Sequence, residues 1–215
     1  MPMTPERWSY IGNYATEVFG GYDEHLAGLM GRAVEEGLPA IAVSADVGRL
    51  LKILASMTEG RLAIELGTLG GYSGIWIARG LADDGQLITV EYDDHHADFA
   101  QREFETAGVD DKVELVRGAA LDVLPTLAER FGPSSVDFAF LDARKSEYVE
   151  YFRILKPMLK PGSLLVADNV YGTGAGWIDQ GHGTDDFNRV VAADPDFDAV
   201  ATPMREGVLI ARKTG

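Results

Sequence analysis

The spacing of apolar side chains changes character along the chain. Over residues 5–19 and 23–37 they recur at helical spacing, and Gly20-Gly21 separates the two runs. A third helix is predicted from Ser44 or Asp46, both good N-caps, with Val47, Leu50, Leu51 and Leu54 along one face and an end near Gly60. From Arg61 the pattern becomes short apolar runs alternating with amphipathic ones. Strands are predicted at 61–66, 86–91, 112–117, 136–141 and 163–168. Helices are predicted after the first strand to about Leu81, then over 93–107, 119–130, 145–159 and 185–193. Lys160-Pro161-Gly162 reads as a turn and 170–184 as a glycine-rich loop. Two last strands, near 197–202 and 207–212, are joined by a segment too short for a parallel crossover, so they must pair antiparallel.

Strand–helix alternation of this kind implies an α/β fold with a doubly wound, mostly parallel, seven-stranded sheet, an antiparallel last strand and an N-terminal helical extension. The simplest partition is one domain over 1–215, with 1–58 as the extension covering the site and 59–215 as the core. At 215 residues, 46% hydrophobic and 25% charged, the chain is ordinary for a globular protein. No internal repeat or low-complexity tract interrupts it.

Charge and composition narrow the function. Nineteen basic against 34 acidic residues give a net charge of −15. A field of that sign repels phosphates and anionic lipid, so nucleic acid and membrane are not expected partners. The spread of acidic residues along the chain suits solubility. With no cysteine, thiolate metal sites, iron–sulfur clusters and cysteine nucleophiles are excluded, and a reducing compartment fits. No signal-peptide core or spanning run is present, so the cytoplasm is expected. Glycine is enriched, 25 residues or roughly 12% against a usual ~7%, and the glycines cluster.

In open α/β sheets ligands lie beyond the carboxyl ends of the strands. The first strand ends in Glu65-Leu66-Gly67-Thr68-Leu69-Gly70-Gly71-Tyr72-Ser73-Gly74, the second in Glu91, the fourth in Asp142 with Lys145 three residues on, and the fifth in Asp168-Asn169. A glycine-rich corner lets backbone approach a ligand, although glycines at such corners also serve as plain turn formers. Glu91, about 20 residues past the turn, stands where a ribose diol would be held. The G-x-G-x-x-G spacing is absent, and Glu65 is expected at the mouth, where it would repel a pyrophosphate. A cationic, phosphate-free ligand such as S-adenosylmethionine suits that mouth better. A nicotinamide oxidoreductase is disfavoured further because no tyrosine has a lysine four residues later.

Asp142, Asp168 and Asn169 offer hard oxygen ligands of the kind Mg²⁺ takes, with room in the shell for a substrate carrying two adjacent hydroxyls. Such an ion lowers a hydroxyl pKa, and Lys145 could accept or steer the proton released. Each residue taken alone also has a plain reading, as a cap, a turn or a solvated side chain.

Four segments, in order, resemble the cation-dependent O-methyltransferases of the catechol and caffeoyl-CoA type: AIELGTLGGYSGIWIARGL, FAFLDARKSEYVEYF, LKPGSLLVADNV and TPMREGVLIARK. The similarity covers nearly all of the chain after about residue 40. The resemblance implies a Rossmann-like methyltransferase using S-adenosylmethionine and Mg²⁺, with a small catechol-like acceptor and a homodimeric assembly. It places Glu65, Gly67, Gly71, Tyr72 and Ser73 around the methionine part of the cofactor, Glu91 at the ribose and Ala119 by the adenine. Asp142 approaches the ammonium and also the metal. Val43 and Ser44 match a covering segment. Asp142, Asp168 and Asn169 match the metal ligands, and Lys145 with Asp142 the catalytic pair. The implied reaction is in-line transfer of a methyl group to an acceptor hydroxyl.

The chain departs from the family pattern in three places. Arg144 replaces the usual acid before Lys145, Tyr171-Gly172 replaces the common Leu-Trp after D-N-V, and Gly162-Ser163 replaces Gly-Gly. A lost aromatic wall bears on the acceptor; Trp177 is a substitute or, more simply, core or loop packing. Arg144 and that missing wall would also suit a non-catalytic holder of S-adenosylmethionine or S-adenosylhomocysteine. His95 and His96 are read as solvated residues at a helix start, and His182 as a surface histidine of the glycine-rich loop.

Overall fold

The computed structural model describes residues 4–21, 24–173, 176–180 and 184–215. His182 lies outside the described residues. Three helices come first: α1 (Pro5–Phe19), α2 (Glu24–Glu35) and α3 (Ala45–Ser56). Thr4 caps α1 by accepting from the Arg7 amide, with Pro5 at its first position. The core alternates β1 (Leu62–Leu66), α4 (Tyr72–Ala78), β2 (Gln86–Glu91), α5 (Asp94–Ala107), β3 (Val113–Arg117), α6 (Ala120–Phe131), β4 (Val136–Leu141), α7 (Tyr148–Met158) and β5 (Leu159–Asp168). A two-residue pair, β6 (Gly172–Thr173) and β7 (Gly176–Trp177), precedes α8 (Asp185–Ala193), β8 (Phe197–Thr202) and β9 (Val208–Lys213).

The main sheet has seven strands in the order β3-β2-β1-β4-β5-β9-β8. β1 to β5 run parallel, and β9 is antiparallel to both β5 and β8. The order reverses at β1, which sits between β2 and β4 and so opens the crevice where such sheets bind ligands. Alternation along the strands sorts side chains to two buried faces. Ala63, Leu87, Phe138, Phe140 and Val166 join the core under α2, α3, α4 and α5. Leu62, Ile64, Leu66, Ile88 and Leu141 join the core under α6, α7 and α8. That is double winding expressed as packing.

Two helices stop short of the sequence reading, α3 at Ser56 and α4 at Ala78, and two further boundaries differ. β5 begins at Leu159, and the expected turn at Lys160-Pro161-Gly162 is a bulge inside the strand: Val136 pairs with Leu159 and Phe138 with Leu164, and Gly162 takes φ +87. Pro161 is tolerated there because bulges are among the few places a sheet admits proline. α7 begins at Tyr148, after a short 3₁₀ turn over Lys145–Glu147, so Lys145 is not on the α-helix.

The extension divides in two. Leu26, Leu29, Ala33, Val47 and Leu51 are buried in the core. α1 buries no residue, and Trp8, Tyr10, Ile11, Tyr14, Val18 and Phe19 are exposed along it. No described helix is long and apolar enough to cross a membrane.

Candidate active site

The carboxyl ends of β1, β2, β4 and β5 converge on a cavity of about 760 Å³. Its floor starts at the β1–α4 corner. Gly67 has φ +97, and a Cβ there would meet the Asp142 carbonyl oxygen at 2.5 Å, so only glycine lets the ends of β1 and β4 approach so closely. Gly71, at φ +82, turns the chain into α4.

Val43, Gly67, Tyr72, Ser73, Glu91, Ala119, Asp142, Lys145 and Asn169 line this cavity, so nine of the candidates singled out in the sequence meet at one place. Gly71, Glu65 and Asp168 are not among the lining residues. Gly71 lies behind the wall, against Phe104 and Ala100. Glu65 is fully buried, not at the mouth. Register pairs it with Thr89 on β2, whose hydroxyl donates to it at 2.7 Å, while the Ser73 hydroxyl donates at 2.6 Å. Thr68 completes this chain with a 2.6 Å contact to Thr89. Burial pushes the Glu65 carboxyl up to about 7, against the pull of the two hydroxyls. The expected repulsion between a charged Glu65 and a bound phosphate therefore has no geometric basis; Glu65 instead ties Ser73 and the glycine corner to the sheet.

Glu91 is held rigidly at the end of β2. One carboxylate oxygen accepts from the Leu69 amide at 2.8 Å, the other from Tyr92 and Asp93 at 3.1 and 3.0 Å. Leu69 has φ +48, so this corner holds a non-glycine residue in left-handed backbone, steadied by the Glu91 bond. Capacity remains on Glu91 for further donors such as hydroxyls. His96 corrects the sequence reading: it lines the cavity with Nδ1 3.7 Å from Glu91, because the cap that Asp93 makes to the His95 and His96 amides turns this face of α5 toward the strand end. His95 is exposed, as expected.

At the ends of β4 and β5 the charges are organised around Lys145. Its Nζ donates to Asp142 at 2.5 Å and to the Tyr148 hydroxyl at 2.8 Å. That hydroxyl is buried and donates to the Leu141 carbonyl at 2.8 Å. Asp168 is buried, and its Oδ1 has no hydrogen-bond partner. Burial and the neighbouring Asp142 raise its carboxyl to about 6, while Arg205 and Lys145 pull the other way. Asn169 adopts φ +57, a left-handed conformation that asparagine tolerates. Among the described residues no group of three His, Cys, Asp or Glu side chains forms a metal cage. Asp142, Asp168 and Asn169 are a different donor set, two carboxylates and an amide.

The remaining walls were not foreseen from the sequence. Pro39, Ala40, Ile41 and Ala42 roof the cavity ahead of Val43. Ser44 caps α3 by position alone, its Oγ buried without a partner. Arg144 reaches Glu147 at 3.1 Å, and Tyr151 donates to the same carboxylate at 2.5 Å. Arg144 thus points along the rim and leaves the Lys145–Asp142 pair intact. Tyr171 packs over Gly207 and donates to the Ala201 carbonyl, and Trp177 is more than half exposed beside Gly172. Neither ring lines the cavity. Arg205, in the β8–β9 turn, does.

Comparison with known proteins agrees with this architecture. The sequence profile of the O-methyltransferase family matches residues 17–214. The chain is 37% identical over 208 residues to a catechol O-methyltransferase from Niastella koreensis, covering 94% of this chain and 93% of that protein. It is 40% identical over 181 residues to a catechol O-methyltransferase from Mycobacterium tuberculosis, covering 84% and 74%. Among solved structures it is similar to the O-methyltransferase TomG from Streptomyces achromogenes, solved in complex with SAM, with a TM-score of 0.85, 36% identity and full coverage of both chains. It is similar also to an O-methyltransferase from Bacillus cereus in complex with SAH, with a TM-score of 0.85, 32% identity and coverage of 97% and 99%. With a seven-stranded Rossmann-like sheet, a strand-end cavity and a family profile matched over residues 17–214, this chain belongs to the O-methyltransferase family and is an enzyme of methyl transfer.

Proposed function

We propose that the protein transfers a methyl group from S-adenosylmethionine to one hydroxyl of a small vicinal-dihydroxy aromatic acceptor, with a divalent cation, Mg²⁺ first, as cofactor. The observation that carries this reading is the juxtaposition of Asp142, Asn169 and Lys145 on the cavity that also holds the glycine corner and Glu91, with the buried carboxylate of Asp168 next to Asn169 at the end of β5. Relatives solved with SAM or SAH support the choice of cofactor, and relatives named for catechol support the acceptor class.

Each part of the chain has a share in this reading. Gly67, Tyr72 and Ser73 take the methionine end, Glu91 the ribose hydroxyls, and Ala119 the adenine. The donors fit a hard cation: Asp168 keeps a buried oxygen without a partner, and two carboxylates with an amide leave room for substrate oxygens. A cation held by Asp142, Asp168 and Asn169 would lower the pKa of an acceptor hydroxyl. Lys145 in its unprotonated amine form takes the acceptor's proton and becomes the ammonium that Asp142 and Tyr148 hold at 2.5 and 2.8 Å. The segment Pro39 to Val43 excludes water from above.

The exposed aromatic and aliphatic face of α1 supports a homodimer, since a patch of that kind is rarely left bare on a monomer. A chain without cysteine suits work in the cytoplasm. Calorimetric titration with S-adenosylhomocysteine, with Mg²⁺ and with chelator, followed by methylation assays on a catechol panel, tests the whole. One-site binding and chelator-sensitive turnover are expected. Tight binding with no transfer to any diol would favour a non-catalytic cofactor holder, and no binding would remove the cofactor assignment.

A further inference from the structure

Arg205 occupies an unusual position. It sits in the short turn between β8 and β9, in left-handed backbone at φ +48, where a long side chain is disfavoured. Antiparallel pairing brings that turn to the end of β5, because Asp168 is in register with Val208. The guanidinium then extends into the cavity. Its Nη1 is 3.6 Å from Asp168 Oδ2 and 3.4 Å from the Ala42 carbonyl oxygen in the roof, and its Nε is 3.5 Å from Glu206. Asp168 is 1% exposed, so its charge is desolvated and needs a neighbour of opposite sign. Lys145 is committed to Asp142 and Tyr148. At 3.6 Å, Arg205 is the cation that pairs with Asp168 among the described residues.

We infer that Arg205 is a resident counter-ion of Asp168 that sets the affinity of the site for its divalent cation, by competing with that cation for the same carboxylate. The inference rests on the metal reading given above. Geometry favours competition over cooperation. The guanidinium faces one oxygen of Asp168 and leaves the other without a partner, so an arriving cation meets a carboxylate already half neutralised by a fixed positive charge. A unit charge some 6 Å from a divalent ion weakens binding about tenfold even at the dielectric of water, and more in a partly buried site. Arg205 also spans from Asp168 to the roof, so the same side chain links the cation site to the segment that covers the cavity.

Mn²⁺ binding tests this without any turnover. Free Mn²⁺ is counted by electron paramagnetic resonance during titration of the wild type, Arg205→Gly, Arg205→Lys and Asp168→Asn, all with S-adenosylhomocysteine present. Glycine suits the positive φ, so the first variant relieves backbone strain while removing the charge. Arg205→Gly is expected to bind Mn²⁺ about tenfold or more tightly than wild type. Arg205→Lys should stay within about twofold of wild type because it keeps the charge, and Asp168→Asn should lose most binding. Equal or weaker binding by Arg205→Gly overturns the inference and leaves the metal reading standing. Unchanged binding by Asp168→Asn overturns it as well, since the ion would then sit elsewhere. Absence of binding in wild type and Arg205→Gly alike overturns both.

Discussion

Lys145 and Tyr148 are joined by a 2.8 Å hydrogen bond in which the lysine Nζ donates to a fully buried phenolic hydroxyl. The hydroxyl spends its own proton on the Leu141 carbonyl, so it can only accept from Lys145. The lysine head is thereby fixed between Tyr148 and Asp142, at the end of β4. Tyr148 acts as a positioning residue. Tyr148→Phe should lower kcat about tenfold while changing the KM for S-adenosylmethionine less than twofold, and cost about 1 kcal/mol of stability for the lost hydrogen bond. Steady-state kinetics together with denaturant unfolding separates the two effects. A loss of stability with unchanged kcat would make the tyrosine merely structural.

Lys145 itself carries a sharper prediction. Removing a general base typically costs on the order of 10²–10⁴ in rate. Lys145→Ala should fall in that range, with S-adenosylhomocysteine affinity within about threefold of wild type, because the cofactor contacts assigned above lie on other residues. Calorimetry on the same preparation checks the second half. Equal losses in rate and affinity would argue that Lys145 holds cofactor rather than moves a proton.

Asp142 serves Lys145 and the proposed cation together, so its loss should be felt twice. Asp142→Ala is expected to leave no Mg²⁺-dependent turnover and to weaken cofactor binding as well, since the carboxylate faces the cavity. Wild-type rates measured with Mg²⁺ and with chelator supply the reference. Identical wild-type rates in the two buffers would sink the metal assignment whatever the variant does.

Most of the sheet was legible because the alternation of short apolar runs with amphipathic ones has few solutions. The cluster of Glu91, Asp142, Lys145 and Asn169 was legible for a topological reason: parallel strands put their carboxyl ends side by side. What escaped depended on three-dimensional detail. Glu65 was expected at the mouth, but strand alternation turns it into the sheet's interior against Thr89, where register and not sequence position decides its surroundings. His96 escaped because an Asp93 cap rotates the start of α5. Arg205 escaped because a turn residue has no strand-end signature of its own. The missing step was the pairing of β9 with β5, which carries the β8–β9 turn to Asp168.

Glu65 gives a prediction about stability rather than rate. Its carboxyl is raised to about 7 in the folded chain, from an ordinary 4.5, chiefly by burial. Between those two values the folded protein holds more protons than the unfolded chain, so stability must fall as pH rises through that window. The slope from this group is at most about 1.4 kcal/mol per pH unit, and it vanishes above the folded pKa, where both states are ionised. Glu65→Gln removes the titration while keeping partners for the hydroxyls: the amide oxygen can accept from Ser73, and the amide nitrogen can donate to Thr89, whose own proton then turns to Thr68 at 2.6 Å. Thermal melts of the two proteins between pH 5 and pH 8 should therefore diverge, the wild type losing stability relative to Glu65→Gln up to about pH 7 and running parallel beyond it. Curves parallel across the whole range would mean that Glu65 is charged throughout, and that the hydroxyl chain with Ser73 and Thr89 outweighs the cost of burying it.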